Sequence, residues 1–210
     1  MVEKVPSSGD LGKVVRSLLS QGVDGVGPLC SSTELANEYR FDEGYRSTQA
    51  RVDALIRWET AKNFGTGFIT GLGGLVTLPA TIPSSLYASY FLQARLAGAI
   101  AVLHGHRVEE DRVRTMILLC LLGNAGKEVL KDIGVKAGNR LAVNAIQKFS
   151  GKTLTEINKR VGFRLFAKTG EKGVINLTKV VPVAGGVVGG TIDAVACRVV
   201  GRTADKSFKK

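Results

Sequence analysis

The sequence is poor in the residues on which disulfide-stabilised, metal-dependent and β-rich proteins rely. Aromatic residues make up 6% of the 210 positions, and there are two histidines and three cysteines. Cys30, Cys120 and Cys197 are too few and too scattered for a disulfide framework or a zinc site, and free thiols fit a reducing cytoplasm. Few aromatic residues and 26 glycines favour helices that pack closely through small residues over a β-sandwich.

Catalytic and phosphate-binding motifs are also missing from the sequence. The glycine series that begins at Gly65 has Thr70 where a GxGxxG loop needs its third glycine. His104 and His106 are two residues apart and would not share a helix face, and neither GxSxG nor HExxH occurs. We therefore expect no metal, no cofactor and no catalytic residue, although a pair of carboxylates remains open as an alternative.

Charge is absent from 32 consecutive residues between Lys62 and Arg95. Pro79 and Pro83 divide this segment into two apolar arms, because a proline inside a helix removes a backbone hydrogen bond. We predict that the second arm is a helix from Ser84 to Leu103. The segment is thus predicted to form a glycine-rich apolar helical hairpin.

Small residues recur at four-residue intervals in this hairpin and near the C-terminus, a spacing that lets helices approach closely. The predicted helix-packing glycines are Gly67, Gly71, Gly73, Gly74, Gly185, Gly186, Gly189 and Gly190. Each arm approaches the ~20 residues that span a bilayer, but the first is rich in glycine and the second contains Gln93 and Arg95. We expect a buried hairpin, with membrane insertion as the alternative, and shallow or conditional insertion also remains open.

Helical patterns continue through the rest of the chain, and no alternating β pattern competes with them. Apolar residues at four-residue steps from Val129 to Ala145 predict one long helix, and Thr153-x-x-Glu156 has the form of a capping box. Residues 1–44 are predicted to be a partly irregular N-terminal accessory segment, and residues 45–208 one helical domain. The predicted fold class is all-α, a compact multi-helix bundle with a glycine-rich apolar helical hairpin.

The excess of positive over negative charge lies entirely in the second half of the chain. Residues 1–110 carry 10 Lys/Arg and 11 Asp/Glu, whereas residues 111–210 carry 19 and 7. A one-sided basic surface attracts a polyanion, and general solubility is the alternative. Nucleic acid is not expected, because aromatic residues are sparse and no binding-domain signature occurs. The predicted lipid- or anion-binding residues are Arg95, Arg140, Lys148, Lys152, Lys159, Arg160, Arg164, Lys168 and Lys172.

Two charged residues, Arg95 and Asp193, stand within apolar helical segments. A buried charge is costly unless it is paired. We expect each residue to find a counter-charge inside the bundle, and Arg95 with Asp193 is the candidate buried ion pair. The alternative is that Arg95 binds a lipid phosphate or an acidic ligand.

Three blocks of the chain resemble the EcsC family in their order and spacing: GTGFITGLGGLVTLPATIP, QARLAGAIAVLHGHRVEEDRVRT and INKRVGFRLFAKTGEKGVINLTKVVPVAGGVVGGTIDAVA. The resemblance covers about residues 45–208. This family is named for a gene beside a bacterial ABC-transporter operon. The resemblance implies a bacterial protein that is cytoplasmic or peripheral to the membrane, and it transfers no catalytic residue.

The leading functional hypothesis is a non-enzymatic protein at the inner face of the cell membrane. Its basic C-terminal half would bind anionic lipid or a membrane protein complex, and the hairpin would line an apolar, lipid-sized cavity or insert shallowly. One alternative is an uncharacterised hydrolase or an ABC-transporter-associated enzyme, which needs a pocket of converging carboxylates or a polarised hydroxyl. The other is a protein-interaction module that docks on a membrane complex.

Overall fold

The computed structural model describes residues 8–27, 29–62, 84–135, 142–166 and 188–209. Within these ranges the chain forms α-helices and two short 3-10 turns and has no strand, so the predicted all-α bundle is confirmed. The helices are α1 (Ser8–Asp24), α2 (Ser32–Arg40), α3 (Thr48–Lys62), α4 (Ser84–Leu103), α5 (Asp111–Leu121), α6 (Gly126–Asp132), α7 (Gly151–Phe166) and α8 (Val188–Phe208).

Helix α4 lies at the centre of the bundle and has the limits that its composition predicts. It packs against α1, α2, α3, α5 and α8. A helix that is surrounded in this way must be apolar around its circumference. Seven of its residues are at most 1% exposed: Phe91, Ala94, Leu96, Ala97, Ala99, Ile100 and Ala101. The alanines keep α4 narrow, so that several helices can approach its axis.

The same composition makes α4 the one helix of the described ranges that is long and apolar enough to cross a membrane, over Leu86–Leu103. Of that window, 78% is buried inside the protein. This burial is what the central helix of a bundle requires. The first arm of the predicted hairpin, residues 63–83, lies outside the described residues.

A glycine and a serine allow the backbones of three helices to approach one another closely. Gly98 of α4 faces Ser32 of α2, and the Ser32 hydroxyl lies 3.1 Å from the carbonyl oxygen of Arg95 and 3.3 Å from that of Gly22 in α1. A Cβ atom on Gly22 would lie 3.1 Å from the Phe91 carbonyl oxygen. The contact among α1, α2 and α4 therefore depends on the absence of side chains.

Among the described residues, close contacts are made by glycines outside the predicted set. Besides Gly98, they include Gly162 against Val15 and Gly201 against Ile56. Two glycines of the predicted set, Gly189 and Gly190, belong to the first turn of α8. The structure does not describe the packing of any of the eight predicted glycines: Gly67, Gly71, Gly73, Gly74, Gly185, Gly186, Gly189 and Gly190.

The N-terminal 44 residues contain more regular structure than their glycines predict. Helix α1 continues through Gly22 to Asp24. Helix α2 begins with a capping box, in which the Ser31 hydroxyl accepts from the Glu34 N–H at 3.1 Å and the Glu34 carboxylate accepts from the Ser31 N–H at 2.8 Å. Both helices contribute side chains to the same core as α4.

Two predicted helix boundaries are wrong. The long helix from Val129 to Ala145 is interrupted, because α6 ends at Asp132 and Gly134 has a left-handed φ of 80°. Helix α7 begins at Gly151, where the Ser150 hydroxyl accepts from the Thr153 N–H at 3.3 Å. Ser150 is therefore the capping residue, and Thr153 is inside the first turn.

Replacement of Gly98 by alanine should destabilise the bundle. The new Cβ atom would lie 2.8 Å from the Ser32 Cβ atom, and the buried Ser32 cannot move without loss of its contacts with two carbonyl groups. We expect Gly98→Ala to lower the free energy of unfolding by about 1–3 kcal/mol in urea denaturation. The control is Gly12→Ala in α1, where the nearest atom lies 3.8 Å away and alanine should stabilise the helix. Equal effects of both substitutions would contradict this account.

Candidate functional site

One face of α7 combines exposed lysines with an exposed aromatic ring. Lys152, Lys159 and Phe163 are exposed, and their separations of seven and four residues place them on the same side of the helix. The opposite side is buried against α1, α5 and α6 through Leu154, Ile157, Val161 and Leu165. We call the surface of Lys148, Lys152, Lys159 and Phe163 the α7 face.

Two arginines of the predicted basic line are neutralised by carboxylates. Arg160 donates to Glu156 one turn earlier, at 2.8 Å. Arg164 reaches across to α6 and donates to Glu128 at 2.9 Å and to Asp132 at 2.8 Å. These bonds hold α7 against α6 and reduce the positive charge that both arginines present to a ligand.

The remaining predicted basic residues divide into two groups. Lys148, Lys152 and Lys159 are exposed, and in the part of the chain that the structure describes no ion pair joins any of them. Arg140, Lys168 and Lys172 lie outside the described residues. The unpaired positive charge near α7 is thus carried by lysines, whose flexible side chains suit contact with a fluid anionic surface.

Phe163 belongs to this face but was not predicted as a functional residue. Its exposure is 53%, although most large apolar side chains of α7 are buried. The signal in the sequence is its position, one turn after Lys159 and away from the buried series that ends at Leu165. An exposed ring beside lysines is typical of surfaces that contact membranes or partner proteins.

Arg95 does not reach the surface, and its partner is not the predicted one. Its guanidinium donates to the Glu59 carboxylate of α3 at 2.8 Å, and the two side chains are only 9% and 6% exposed. Arg95 also contacts the Cys30 sulfur at 3.9 Å. Asp193 instead is exposed and accepts from the Ser89 hydroxyl at 3.1 Å. The predicted Arg95–Asp193 pair is therefore replaced by Arg95–Glu59.

Glu59 was missed because a carboxylate on an amphipathic helix is normally a solvent-exposed residue. It follows the exposed Trp58 and precedes Thr60 in α3, and no local pattern distinguishes it from its neighbours. Only the packing of α3 on α4 brings it to Arg95. The pair fixes the relative position of two helices and leaves Arg95 shielded from a lipid phosphate.

The C-terminal helix is held by a second polar network. His104 Nε2 lies 2.9 Å from Asp205, whose other oxygen accepts from Gln49 at 3.1 Å, and Lys209 donates to Gln49 at 3.0 Å. His106 Nε2 lies 2.8 Å from the carbonyl oxygen of Phe208. The histidines thus connect the end of α4 to the end of α8.

Burial alone would raise the pKa of Asp205, but this effect is outweighed by the hydrogen bonds with His104 and Gln49 and by the electrostatic interactions with His104 and Lys209. The pKa of Asp205 therefore lies below its ordinary value.

A histidine–carboxylate pair also occurs in hydrolases, but the described residues around this network do not include an activated nucleophile. The Cys120 thiol beside Ser207 is fully buried, and burial raises its pKa to about 12, so it is not an activated nucleophile. Within the described ranges no three His, Cys, Asp or Glu side chains are grouped as metal ligands. The geometry gives the His104–Asp205 pair a structural role.

Comparison with known proteins identifies one family. The sequence model described as the EcsC protein family matches residues 46–210, which confirms the resemblance over most of the chain. No curated protein and no solved structure matches significantly. The matched region contains α3 to α8, whereas α1 and α2 precede it.

Disruption of the buried ion pair should lower the free energy of unfolding far more than disruption of an exposed ion pair. Glu59→Leu leaves the Arg95 guanidinium buried without its carboxylate, and we expect a loss of about 3–5 kcal/mol in the free energy of unfolding. Glu59→Leu with Arg95→Met should recover most of this loss. Glu156→Gln, which breaks the exposed pair with Arg160, should change stability by less than about 1 kcal/mol. The double variant contradicts the interpretation if it is less stable than Glu59→Leu alone.

The Asp205 network predicts a defined pH dependence. A carboxylate with a lowered pKa stabilises the folded state above its unfolded pKa of about 3.9, and this stabilisation is lost as the pH falls through the folded pKa. Wild type should therefore exceed Asp205→Asn in stability at pH 7, and the difference should shrink as the pH falls below about 4. Urea denaturation at several pH values measures this, with Glu43→Gln on an exposed loop as control. A difference that does not vary with pH would contradict it.

Proposed function

The chain belongs to the EcsC protein family, and from that premise we propose that it is a non-enzymatic peripheral protein that binds anionic membranes through the α7 face. The observation that carries the proposal is the set of unpaired lysines around the half-exposed Phe163. Lysines near an anionic surface contribute about 1 kcal/mol each, and an aromatic ring can enter the interface between them.

Two features of the fold support reversible binding at a surface. The charges that stabilise the bundle are paired internally, as at Arg95–Glu59 and Arg164–Asp132, so the lysines can bind lipid without a change in the fold. The apolar helix α4 is occupied by contacts with five other helices. Within the described ranges, α7 therefore offers a better lipid contact than α4. The lipid-sized cavity and the insertion of the hairpin concern residues 63–83, outside those ranges.

The two alternatives stay distinct from this proposal. An enzyme would need an accessible nucleophile or a pocket of converging carboxylates, and the described residues place His104 and Asp205 in a helix contact instead. A protein-interaction module would use the same α7 face against an acidic protein of a membrane complex. Saturable binding to a protein, without binding to lipid, would favour that module.

Liposome flotation of the purified protein tests the proposal. We expect flotation with vesicles that contain phosphatidylglycerol, none with the neutral vesicles, which consist of phosphatidylethanolamine, and loss at high salt, because exposed charges are screened. Lys152→Glu with Lys159→Glu should weaken binding by at least about 10-fold. Arg46→Glu with Lys206→Glu, two exposed sites on other elements, changes the net charge equally and should have a smaller effect.

Phe163→Ser separates the aromatic contribution from the electrostatic one. It should reduce the fraction that floats at intermediate salt and leave the dependence on anionic lipid unchanged. If the Lys152→Glu, Lys159→Glu variant and the Arg46→Glu, Lys206→Glu variant lose membrane binding equally, a specific role of the α7 face is contradicted. Salt-resistant flotation on neutral vesicles would instead indicate insertion of an apolar segment.

A further inference from the structure

A surface pocket of about 280 Å³ opens between α2, the loop that follows it and α3. Three aromatic rings and two carboxylates line it: Tyr39, Tyr45, Trp58, Glu38 and Asp42. Such a volume suits a small head group rather than an extended ligand. The pocket and the α7 face lie on different helices, and α7 packs on α1, α5 and α6.

Local contacts give this pocket a fixed shape. The rings of Tyr39 and Tyr45 stack with their centroids 6.1 Å apart and an interplanar angle of 26°. The loop between them is closed by Asp42, whose carboxylate accepts from the Gly44 N–H at 2.8 Å and whose carbonyl accepts from the Tyr45 N–H at 3.3 Å. Trp58 completes the pocket from α3 and is 50% exposed. A pre-formed pocket loses little entropy when it binds a ligand.

The charge of the pocket is negative. In the described parts of the chain no ion pair neutralises Glu38 or Asp42. Burial raises the pKa of Tyr39, the negative charges of Glu59 and Glu38 add to that rise, and the positive charge of Arg57 opposes it. Carboxylates beside the electron-rich faces of aromatic rings attract a cation through both its charge and the ring quadrupoles.

The lining distinguishes among cations. Primary ammonium groups and metal ions are strongly hydrated, and aromatic faces replace that hydration poorly. A quaternary ammonium group is weakly hydrated and has no hydrogen-bond donors, so aromatic faces are its preferred surroundings. The indole already attracts one cation, since the exposed Arg57 guanidinium lies 6.0 Å from its centroid.

We propose that this pocket binds a quaternary ammonium group of the choline type. Trp58 and the stacked tyrosines contact the methyl groups, and Glu38 and Asp42 supply the counter-charge. The group can belong to a soluble compound or to a lipid head group. Four of the five lining residues precede the matched family region, which starts at residue 46, so the site is completed by the N-terminal segment of this chain.

Trp58 is the only tryptophan of the chain, so its fluorescence reports on the pocket directly. Choline chloride is titrated into the full-length protein at constant ionic strength, and 3,3-dimethylbutanol serves as the neutral isostere. We expect a saturable change with choline, a weaker one with ethylammonium and none with the isostere. No saturable signal with choline, either in fluorescence or in calorimetry, would overturn the proposal. Equal responses to choline and the isostere, or to choline and ethylammonium, would overturn it as well.

Variants separate the site from effects on folding, with circular dichroism as the check. Trp58→Leu, measured by calorimetry, should weaken choline binding by at least about 3-fold, and Asp42→Asn should act in the same direction. Arg57→Gln should strengthen binding, because it removes a competing positive charge, and a loss of structure would not produce that gain. Glu109→Gln, on an exposed turn far along the chain, is the charge-matched control. Equal effects of Asp42→Asn and Glu109→Gln would contradict the site.

Vesicles of phosphatidylcholine identify the source of the ligand. Flotation that free choline and Trp58→Leu both abolish assigns the pocket to a lipid head group. Choline binding in solution without such flotation assigns it to a soluble compound, and either result supports the proposed chemistry. The Lys152→Glu, Lys159→Glu variant should bind choline normally, so failure of the α7 proposal and failure of this one are separate results.

Discussion

The burial of α4 on all sides is the constraint on which the rest of this protein depends. Five helices pack on it, so its circumference must be apolar and narrow, and its only charged residue must be paired. Arg95 meets this requirement through Glu59, which ties α3 to the centre. Gly98 meets the requirement for close approach, because Ser32 occupies the space that a side chain would need. The fold therefore has one apolar central helix, and it depends on a small number of specific contacts with that helix.

Ion pairs between helices determine which charges remain available at the surface. Arginines are used inside the structure: Arg95 with α3, Arg164 with α6 and Arg114 with Asp24 of α1. An arginine suits these positions because its planar group can serve two acceptors at once. The exposed positive charge on the α7 face is left to lysines, which bind a diffuse anionic surface without fixed geometry. The basic residues of the second half thus have two roles: arginines form ion pairs between helices, and lysines remain exposed at the surface.

The two proposed binding regions use different physical principles and different helices. The α7 face relies on long-range attraction and one aromatic ring, so salt should govern its binding. The pocket between α2 and α3 relies on fixed aromatic rings and carboxylates at short range. Both can act on one membrane if that membrane presents anionic and choline head groups together. Each can also act alone, because α7 and the α2–α3 region pack on different neighbours.

Local sequence patterns were enough to predict the all-α class and the limits of α4, because apolar periodicity, prolines and charge spacing act over a few residues. The order and spacing of three sequence blocks were enough to recognise the family. The sequence also indicated that Arg95 needs a partner, since an unpaired buried charge is costly. The identity of that partner was decided by tertiary structure, because Glu59 is 36 positions away in sequence and meets Arg95 only where α3 crosses α4. The same reason applies to Arg164 and to the aromatic pocket. Each depends on groups from separate elements, and local sequence patterns do not encode their distance.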